Sequence, residues 1–555
     1  MKIVIIGAVA AGATAATNIR KISKDSEIIL LEKGRDTSFK NCEIPYYLSE
    51  MVKDSKDLIA RNPEAFKKNN DIDARNFNEA ISIDRDKKEV LVNDIKNDKT
   101  YTESYDKLII ATGASPFIPD SIKGLDKDRE NVFKVENVVD VERIRAYIKE
   151  KNAKKIIVNG AGFIGIEAAE NLNELDGVDI YLIVRSRVLE ANIDEELAGF
   201  VEENIRKHIN MIKNDEIIKV EDDELILKSG KKLDYDVLIN AIGIKPNSEI
   251  AKKAGLKLTE SGAIDTDRNF LTNDPDIYAI GDVIEVYNPL TRKNGKLNLA
   301  WPAHREAKFV AKHIFNMAGK SPSFIGSFSL RSFDINIAST GLSRKVLESE
   351  NIAFESTLIR HNDSVDILPY SKPMNMKILF DSHTGLIYGI QAVGEGDVVK
   401  RIDIVAGLVG MGADIYDLYD TELSYQPIFS TPEDALNTLA SQAIDIFEGD
   451  LKHVNLYELK DKINDFRIID IRSKEAFDKS HIRGAENIES SKIRENLDLI
   501  NKDEKTLLYC NSSNIAKSLT KFLISQGFNK VYMLEGSMVF LEKYVDVLGL
   551  DLLER

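Results

Sequence analysis

Hydrophobic positions fall into two regimes along the chain. Up to residue 282 they come as short continuous apolar runs that end in glycine; from about residue 325 they alternate with polar residues. Lys2 to Ile6 is the first run and predicts a strand buried on both faces. Gly7-Ala8-Val9-Ala10-Ala11-Gly12 follows, then an alanine-rich helix through Arg20. Ile28 to Leu31 predicts the next strand, ending at Glu32 and Lys33. A strand, a glycine turn, a helix and a second strand bring backbone N–H groups to a pyrophosphate at a helix N-terminus. Glu32, 25 residues after Gly7, is placed to accept hydrogen bonds from a ribose, although Val9 stands where a middle glycine is usual.

Leu108 to Ala114 is the next run. Its Ala111-Thr112-Gly113, ahead of Pro116, resembles the return strand of two-dinucleotide flavoproteins. A second unit begins with the strand Ile156 to Asn159, and its turn carries Gly160, Gly162, Phe163, Ile164, Gly165 and Glu167 in a full G-x-G-x-x-G-x-E pattern. The following strand, Ile180 to Val184, leads into Arg185-Ser186-Arg187 rather than an acid. Guanidinium groups there suit a 2′-phosphate, so Arg185 and Arg187 point to NADPH over NADH. Val237 to Gly243 and Ile277 to Asp282 are two further strands ending in glycine, and Asp282 suits a carboxylate bonded to a flavin ribityl chain. The helix from Ala300 through about Met317 would cover the flavin, with His304 in a structural role at its start. Strands are expected near Ile335 to Ala338, Met376 to Phe380 and Ile387 to Val393, and helices over Arg401 to Met411 and Pro432 to Phe447. Beyond Glu448-Gly449-Asp450, a strand ending at Tyr509 delivers Cys510 to a polar loop and a helix over Ile515 to Ser525. A helix dipole and loop N–H groups there would stabilise a persulfide anion.

At 555 residues the chain is too long for one core. The net charge of −16 argues against nucleic acid as a partner. No apolar run is long enough for a membrane span, and no metal site is expected. Two cysteines cannot build a disulfide framework, which points to a reducing, cytoplasmic setting. One of them, Cys42, lies in Ser38-Phe39-Lys40-Asn41-Cys42-Glu43, just after the first nucleotide unit. With no neighbouring cysteine to close a disulfide, its partner must be external, or it must carry a sulfenic acid or persulfide.

Residues 1–445 resemble the CoA-disulfide reductase branch of the pyridine nucleotide-disulfide oxidoreductases. The Gly7–Gly12 turn, Ser38-Phe39-x-Asn41-Cys42, Ala111-Thr112-Gly113, the Gly160–Glu167 motif, Tyr278–Asp282 and Leu299–Arg305 carry the likeness. Residues 451–555 resemble a rhodanese domain through Asp470-x-Arg472, Glu475, His481-Ile482-x-Gly484-Ala485 and the strand into Cys510. The resemblance implies an α/β chain with an FAD-binding domain at 1–115 and 246–322 and an NAD(P)-binding domain at 116–245. An α+β dimerisation domain at 323–447 and a rhodanese-like domain at 451–555 complete it. It implies a homodimer, with Cys42 as redox cysteine and Cys510 as sulfur handler. FAD would contact Gly7 to Gly12, Glu32, Lys33, Ala111 to Gly113, Asp282 and Ala300, and CoA would contact Thr14, Asn18, Lys21, Ser38 and Asn41. The substrate would be a CoA persulfide, a polysulfide or CoA disulfide.

Three departures qualify these expectations. Ile367-Leu368-Pro369 stands where the family has Tyr-Tyr-Pro, leaving Tyr425 as the retained catalytic tyrosine, which disfavours CoA disulfide as oxidant. Glu43 follows the redox cysteine and would raise its pKa if its charge faced the sulfur. The loop Cys510-Asn511-Ser512-Ser513-Asn514-Ile515 lacks the family's glycine and arginine, so transfer from thiosulfate should be weak. Two alternatives stay open: an NAD(P)H oxidase or peroxidase using a Cys42 sulfenic acid, and a reductase whose rhodanese-like module only docks a partner.

Overall fold

Each of the two glycine turns leaves the central strand of a five-stranded parallel sheet. A computed structural model describes every residue of the chain except Ala318. The chain divides into two compact units, Met1–Arg185 with Ile209–Phe324, and Ser186–His208 with Ile325–Arg555.

In the first unit one sheet runs Ile277–Ala279, Lys107–Ile110, Lys2–Ile6, Glu27–Leu31, Asp73–Arg75, every pair parallel. The other runs Asn210–Lys213, Asp179–Val184, Lys155–Asn159, Val237–Asn240, Val132–Phe133, again parallel. Ile3, Val4 and Ile5 are all fully buried, which explains a continuous apolar run in place of alternation. The glycines are fixed by crowding. A Cβ on Gly12 would lie 1.8 Å from the Gly7 carbonyl oxygen, and one on Gly165 would lie 1.9 Å from that of Gly160. Only a hydrogen fits where the turn meets the first coil of the helix.

The second unit holds an antiparallel sheet ordered Ser327–Ser332, Ile335–Gly341, Ile387–Gly394, Pro373–Phe380, Glu355–Asn362. Two of its strands, Ser327–Ser332 and Glu355–Asn362, go beyond those expected. Helices Val398–Met411 and Ala435–Phe447 accompany this sheet. The N-cap of the latter, Asp434, accepts from Leu436 N at 3.0 Å and from Arg401 Nη2 at 2.7 Å, so one carboxylate caps a helix and neutralises a buried guanidinium. The C-terminal sheet is parallel, ordered His453–Val454, Val531–Leu534, Thr506–Tyr509, Arg467–Asp470, Glu486–Asn487. Helix Glu195–His208, which follows the second nucleotide motif in sequence, belongs to this unit and packs on helix Ser537–Leu548. No helix among the described residues is long and apolar enough to cross a membrane.

Candidate active site

Cys42 occupies a single 3₁₀ turn, Asn41–Glu43, and helix Pro45–Leu48 follows directly. The backbone on either side of this turn is tied down. Ser38 N donates to the Ala8 carbonyl at 2.8 Å, and the Ser38 carbonyl accepts from Ala60 N at 2.8 Å. Ser38 pays for this with a left-handed φ of 48°, a conformation uncommon for a residue with a Cβ. The cysteine stretch is therefore anchored to the first glycine turn itself. Further along, Ser49 Oγ donates to Asn171 Oδ1 at 2.7 Å, and the Arg145 guanidinium lies 4.2 Å from the Tyr47 ring centre. These contacts join the same stretch to the second nucleotide-binding half.

The Cys42 thiol is solvent-accessible. Its pKa is held above the ordinary thiol value by the surrounding protein first, then by the charges of Glu167, Glu43 and Asp282. The anticipated effect of Glu43 is thus present, but Glu167, read from the sequence only as part of a nucleotide motif, acts on the sulfur more strongly. Burial, with Glu170 nearby, pushes Glu167 up to about 7. Replacing Glu43 by glutamine should increase the thiolate fraction at neutral pH. Alkylation of Cys42 by iodoacetamide at pH 7 is expected to accelerate about threefold, and the variant and parent rates should converge at high pH, where both thiols are ionised. Equal rates at pH 7 would show that the Glu43 charge does not reach the sulfur.

The residues expected to hold FAD surround the first turn. The Glu32 carboxylate accepts from Ala8 N at 3.0 Å and Gly34 N at 2.8 Å, which fixes it at the end of its strand, and Lys33 beside it is exposed. Thr112 Oγ1 donates to the Asn247 carbonyl at 2.7 Å, and Asn247 N donates to the Gly113 carbonyl at 2.9 Å, so Asn247 clamps the return strand. Burial raises Asp282 to about 6, with Asn298 as its hydrogen-bond partner. A half-buried carboxyl so placed fits a polyol hydroxyl. Glu306 escaped the sequence reading. It is buried on helix Ala300–His313, accepts from Gly281 N at 2.6 Å, and burial pushes it up to about 7. Its signal was a lone acid on the apolar stripe of Ala303, Ala307 and Val310.

Helix Ala10–Ile22 carries the candidate CoA residues. Thr14 Oγ1 hydrogen-bonds His304 Nδ1 at 2.7 Å, and Asn18 Nδ2 donates to the Thr14 carbonyl at 2.8 Å, while Lys21 is exposed. Burial and Lys308 keep the His304 pKa below its usual value. In the second motif, Gly162 caps helix Phe163–Asn173, and a Cβ placed on it would meet nothing within 4 Å, so the helix start opens onto free space that suits a dinucleotide.

Arg187 is a correction. Its side chain is buried, donates to the Ile193 carbonyl and, at 3.1 Å, to the Glu190 carbonyl, and pairs with Glu195 at 3.5 Å. It holds the segment before helix Glu195–His208 and is not free for a phosphate. Arg185, in contrast, is exposed.

Tyr425 lies in the other unit and is exposed. Cys510 is also there, and it is buried. Its side chain is only 3% exposed, packed with Ile469, Leu508, Ala516 and Leu519, and its Sγ sits 3.9 Å from Ser537 Oγ. Ser513, standing where the family has glycine, adopts φ 72°, and Ile515, standing where it has arginine, is exposed. The helix expected after this loop is present as Asn514–Ser525.

Comparison with known proteins follows the same division. Residues 1–307 match the family model of pyridine nucleotide-disulphide oxidoreductases, residues 329–435 match the dimerisation domain of that family, and residues 455–541 match the rhodanese-like domain. A coenzyme A disulfide reductase of Staphylococcus epidermidis is 32% identical over 444 residues, covering 80% of this chain and 99% of the relative. Among solved structures, reduced CoADR-RHD of Bacillus anthracis superposes with a TM-score of 0.94 at 33% identity, covering 98% of both chains. An NAD-dependent persulfide reductase from A. fulgidus superposes with a TM-score of 0.89 at 32% identity, covering 97% of this chain and 100% of that one.

Proposed function

The chain belongs to the pyridine nucleotide-disulphide oxidoreductase family and is an FAD-dependent disulfide oxidoreductase, and we propose that it reduces the persulfide of coenzyme A through Cys42, using NADPH. The observation that carries this reading is the setting of Cys42: an accessible thiol, anchored by backbone to the first glycine turn, with the chain's second thiol buried in the other unit. An external sulfur must then be its partner.

FAD and the nicotinamide, when bound, supply the electron pair that returns a disulfide on Cys42 to two thiols. The Gly7–Gly12 turn, Glu32, Thr112 and Asp282 would hold the first, and the Gly160–Gly165 turn with Arg185 the second. The Cys42 thiolate attacks the inner sulfur of the persulfide. The sulfur–sulfur bond breaks, hydrosulfide leaves with its electron pair, and CoA stays as a mixed disulfide on Cys42. Glu167, poised near neutrality, can hold the proton that the leaving sulfur takes up. Tyr425 would be a second proton source. A hydrosulfide needs less protonation than an alkyl thiolate, which accords with Ile367-Leu368-Pro369 in place of the family's tyrosine pair. Thr14, Asn18, Lys21, Ser38 and Asn41 would bind the CoA moiety. The matched dimerisation domain supports a homodimer, and exposed Tyr370, Tyr425, Ile428 and Phe429 are apolar groups that association would cover.

The burial of Cys510 and the exposed Ile515 favour a rhodanese-like unit that docks a ligand or partner over one that carries sulfur on its own cysteine. The test is kcat/KM for CoA persulfide, CoA disulfide, hydrogen peroxide and oxygen, each with NADPH and with NADH, in the parent and in Cys510→Ser. Persulfide with NADPH should give the highest value, and Cys510→Ser should retain it within about twofold. Fastest turnover with peroxide or oxygen would replace the persulfide reading, and a large loss in Cys510→Ser would restore that cysteine to the sulfur path.

A further inference from the structure

The second unit carries an open-mouthed cavity of about 750 Å³, within the range of small-molecule sites. Its wall is built from helix Glu195–His208, the antiparallel sheet and the C-terminal domain, and it includes Asn511, the residue directly after Cys510. The Asn511 carbonyl accepts from Val539 N at 3.0 Å, which holds that loop against helix Ser537–Leu548.

Charge in the wall does not cancel. Glu203 is paired with Lys543 at 2.8 Å and Glu395 with Lys372 at 2.8 Å, while Asp334 hydrogen-bonds the His208 ring at 2.7 Å. Lys207, Arg331 and Arg360 remain, against two lining acids, Asp334 and Glu542, that no lysine or arginine pairs among the described residues. Arg331 donates from Nε to the Phe333 carbonyl at 3.1 Å, and Arg360 from Nη1 to Asn375 Oδ1 at 3.1 Å; neither meets a carboxylate at ion-pair distance among the described residues. Arg360 is half-buried, and burial holds its pKa below the ordinary arginine value, with Glu395 and Glu203 only partly offsetting this. A desolvated guanidinium with most of its five N–H donors unspent, facing a roomy cavity, is short of an anion.

We propose that this cavity binds a tetrahedral oxyanion through Arg360 and Arg331, placing the bearer of that group beside the Cys510 loop. The guanidinium fork matches two oxygens of a phosphate or of a sulfur oxyanion. The cations come from the antiparallel sheet and not from the loop, where Ile515 has replaced the arginine, so the site is separate from the loop's own lost anion cradle. The oxyanion could be a phosphate carried by a CoA thiol or a free thiosulfate, and binding measurements distinguish the two.

The full FAD-loaded chain is titrated calorimetrically with inorganic phosphate, thiosulfate and CoA, in the parent, Arg331→Gln, Arg360→Gln and Glu542→Gln. At least one probe should bind at the cavity and weaken at least about tenfold in each arginine variant. Glu542→Gln, which removes one of those two acids, should tighten the same probe. A thiosulfate response alone assigns a free sulfur oxyanion; a second CoA per chain that is lost in the arginine variants assigns a carried phosphate. Melting of each ligand-free variant shows that it is folded. The proposal is overturned if no probe binds, or if folded arginine variants bind every probe as the parent does, or if Glu542→Gln leaves the affinity of a bound probe unchanged.

Discussion

Replacing Cys42 by serine is expected to lower kcat/KM for CoA persulfide by at least about 10³-fold while FAD stays bound. A serine hydroxyl is not ionised at neutral pH and cannot carry the electron pair of a sulfur–sulfur bond, so the attack on the inner sulfur and the mixed disulfide are both lost. The flavin site should survive, because the stretch is held by the Ser38 N to Ala8 carbonyl bond and the Ala60 N to Ser38 carbonyl bond, and neither involves the thiol. Stopped-flow absorbance separates the two halves of turnover. Reduction of the flavin by NADPH should proceed at the parent rate, and its reoxidation by persulfide should vanish. Intact mass after incubation with CoA disulfide should show a CoA adduct on the parent and none on the variant. Persulfide reoxidation at the parent rate in Cys42→Ser would remove the cysteine from the electron path.

What could be seen in the sequence was whatever local sterics impose. The glycine turns were legible because a Cβ at Gly12 or Gly165 would collide with a carbonyl within the same few residues, so the motif reports its own geometry. The central strands were legible because burial on both faces leaves no polar position. Features that depend on distant partners were not. Helix Glu195–His208 buries Glu196, Glu202 and Asn204 together with Leu197, Val201 and Ile205, so its inner face does not read as an apolar stripe. The partner of Glu196, Lys377, lies 181 residues away. Arg187 sits where a phosphate ligand was expected, and no pattern could tell that its guanidinium turns onto carbonyls three and six residues downstream. Cys510 was placed correctly at the end of its strand, but accessibility depends on Ser537 and the helix after it, far along the chain. The effect of Glu167 on Cys42 has the same origin: two motifs that were read separately face each other in space.

The buried charges around Lys377 lead to the second large effect. Lys377 is fully buried, with Nζ 2.9 Å from Asp194 Oδ2 and 3.1 Å from Glu196 Oε1. Burial alone would lower its pKa, but Asp194, Glu196 and Glu535 outweigh that and hold it raised. Asp194 and Glu196 precede and begin helix Glu195–His208, Lys377 belongs to strand Pro373–Phe380, and Glu535 follows strand Val531–Leu534 of the C-terminal sheet. One ammonium therefore serves three buried acids, two at the start of that helix and one after the C-terminal strand. Lys377→Met keeps the volume and removes the charge, leaving Asp194 and Glu196 unpaired, and should destabilise this unit by about 3–5 kcal/mol. For a unit of this size that is a fall in melting temperature of roughly 10 °C. Adding Glu196→Gln to Lys377→Met should recover part of the loss, since it removes one of the stranded charges, with Glu196→Gln alone as the reference for that pair. Burial raises the Glu535 pKa well above its ordinary 4.5. A raised folded value means that its contribution to stability is complete below pH 4.5 and is lost as pH rises toward the folded value. Glu535→Gln should thus melt higher than the parent by a margin that grows with pH above that point. Scanning calorimetry of the parent and the four variants across pH tests the account, and a Lys377→Met variant that melts with the parent would show that the three carboxyls are already neutral without the lysine.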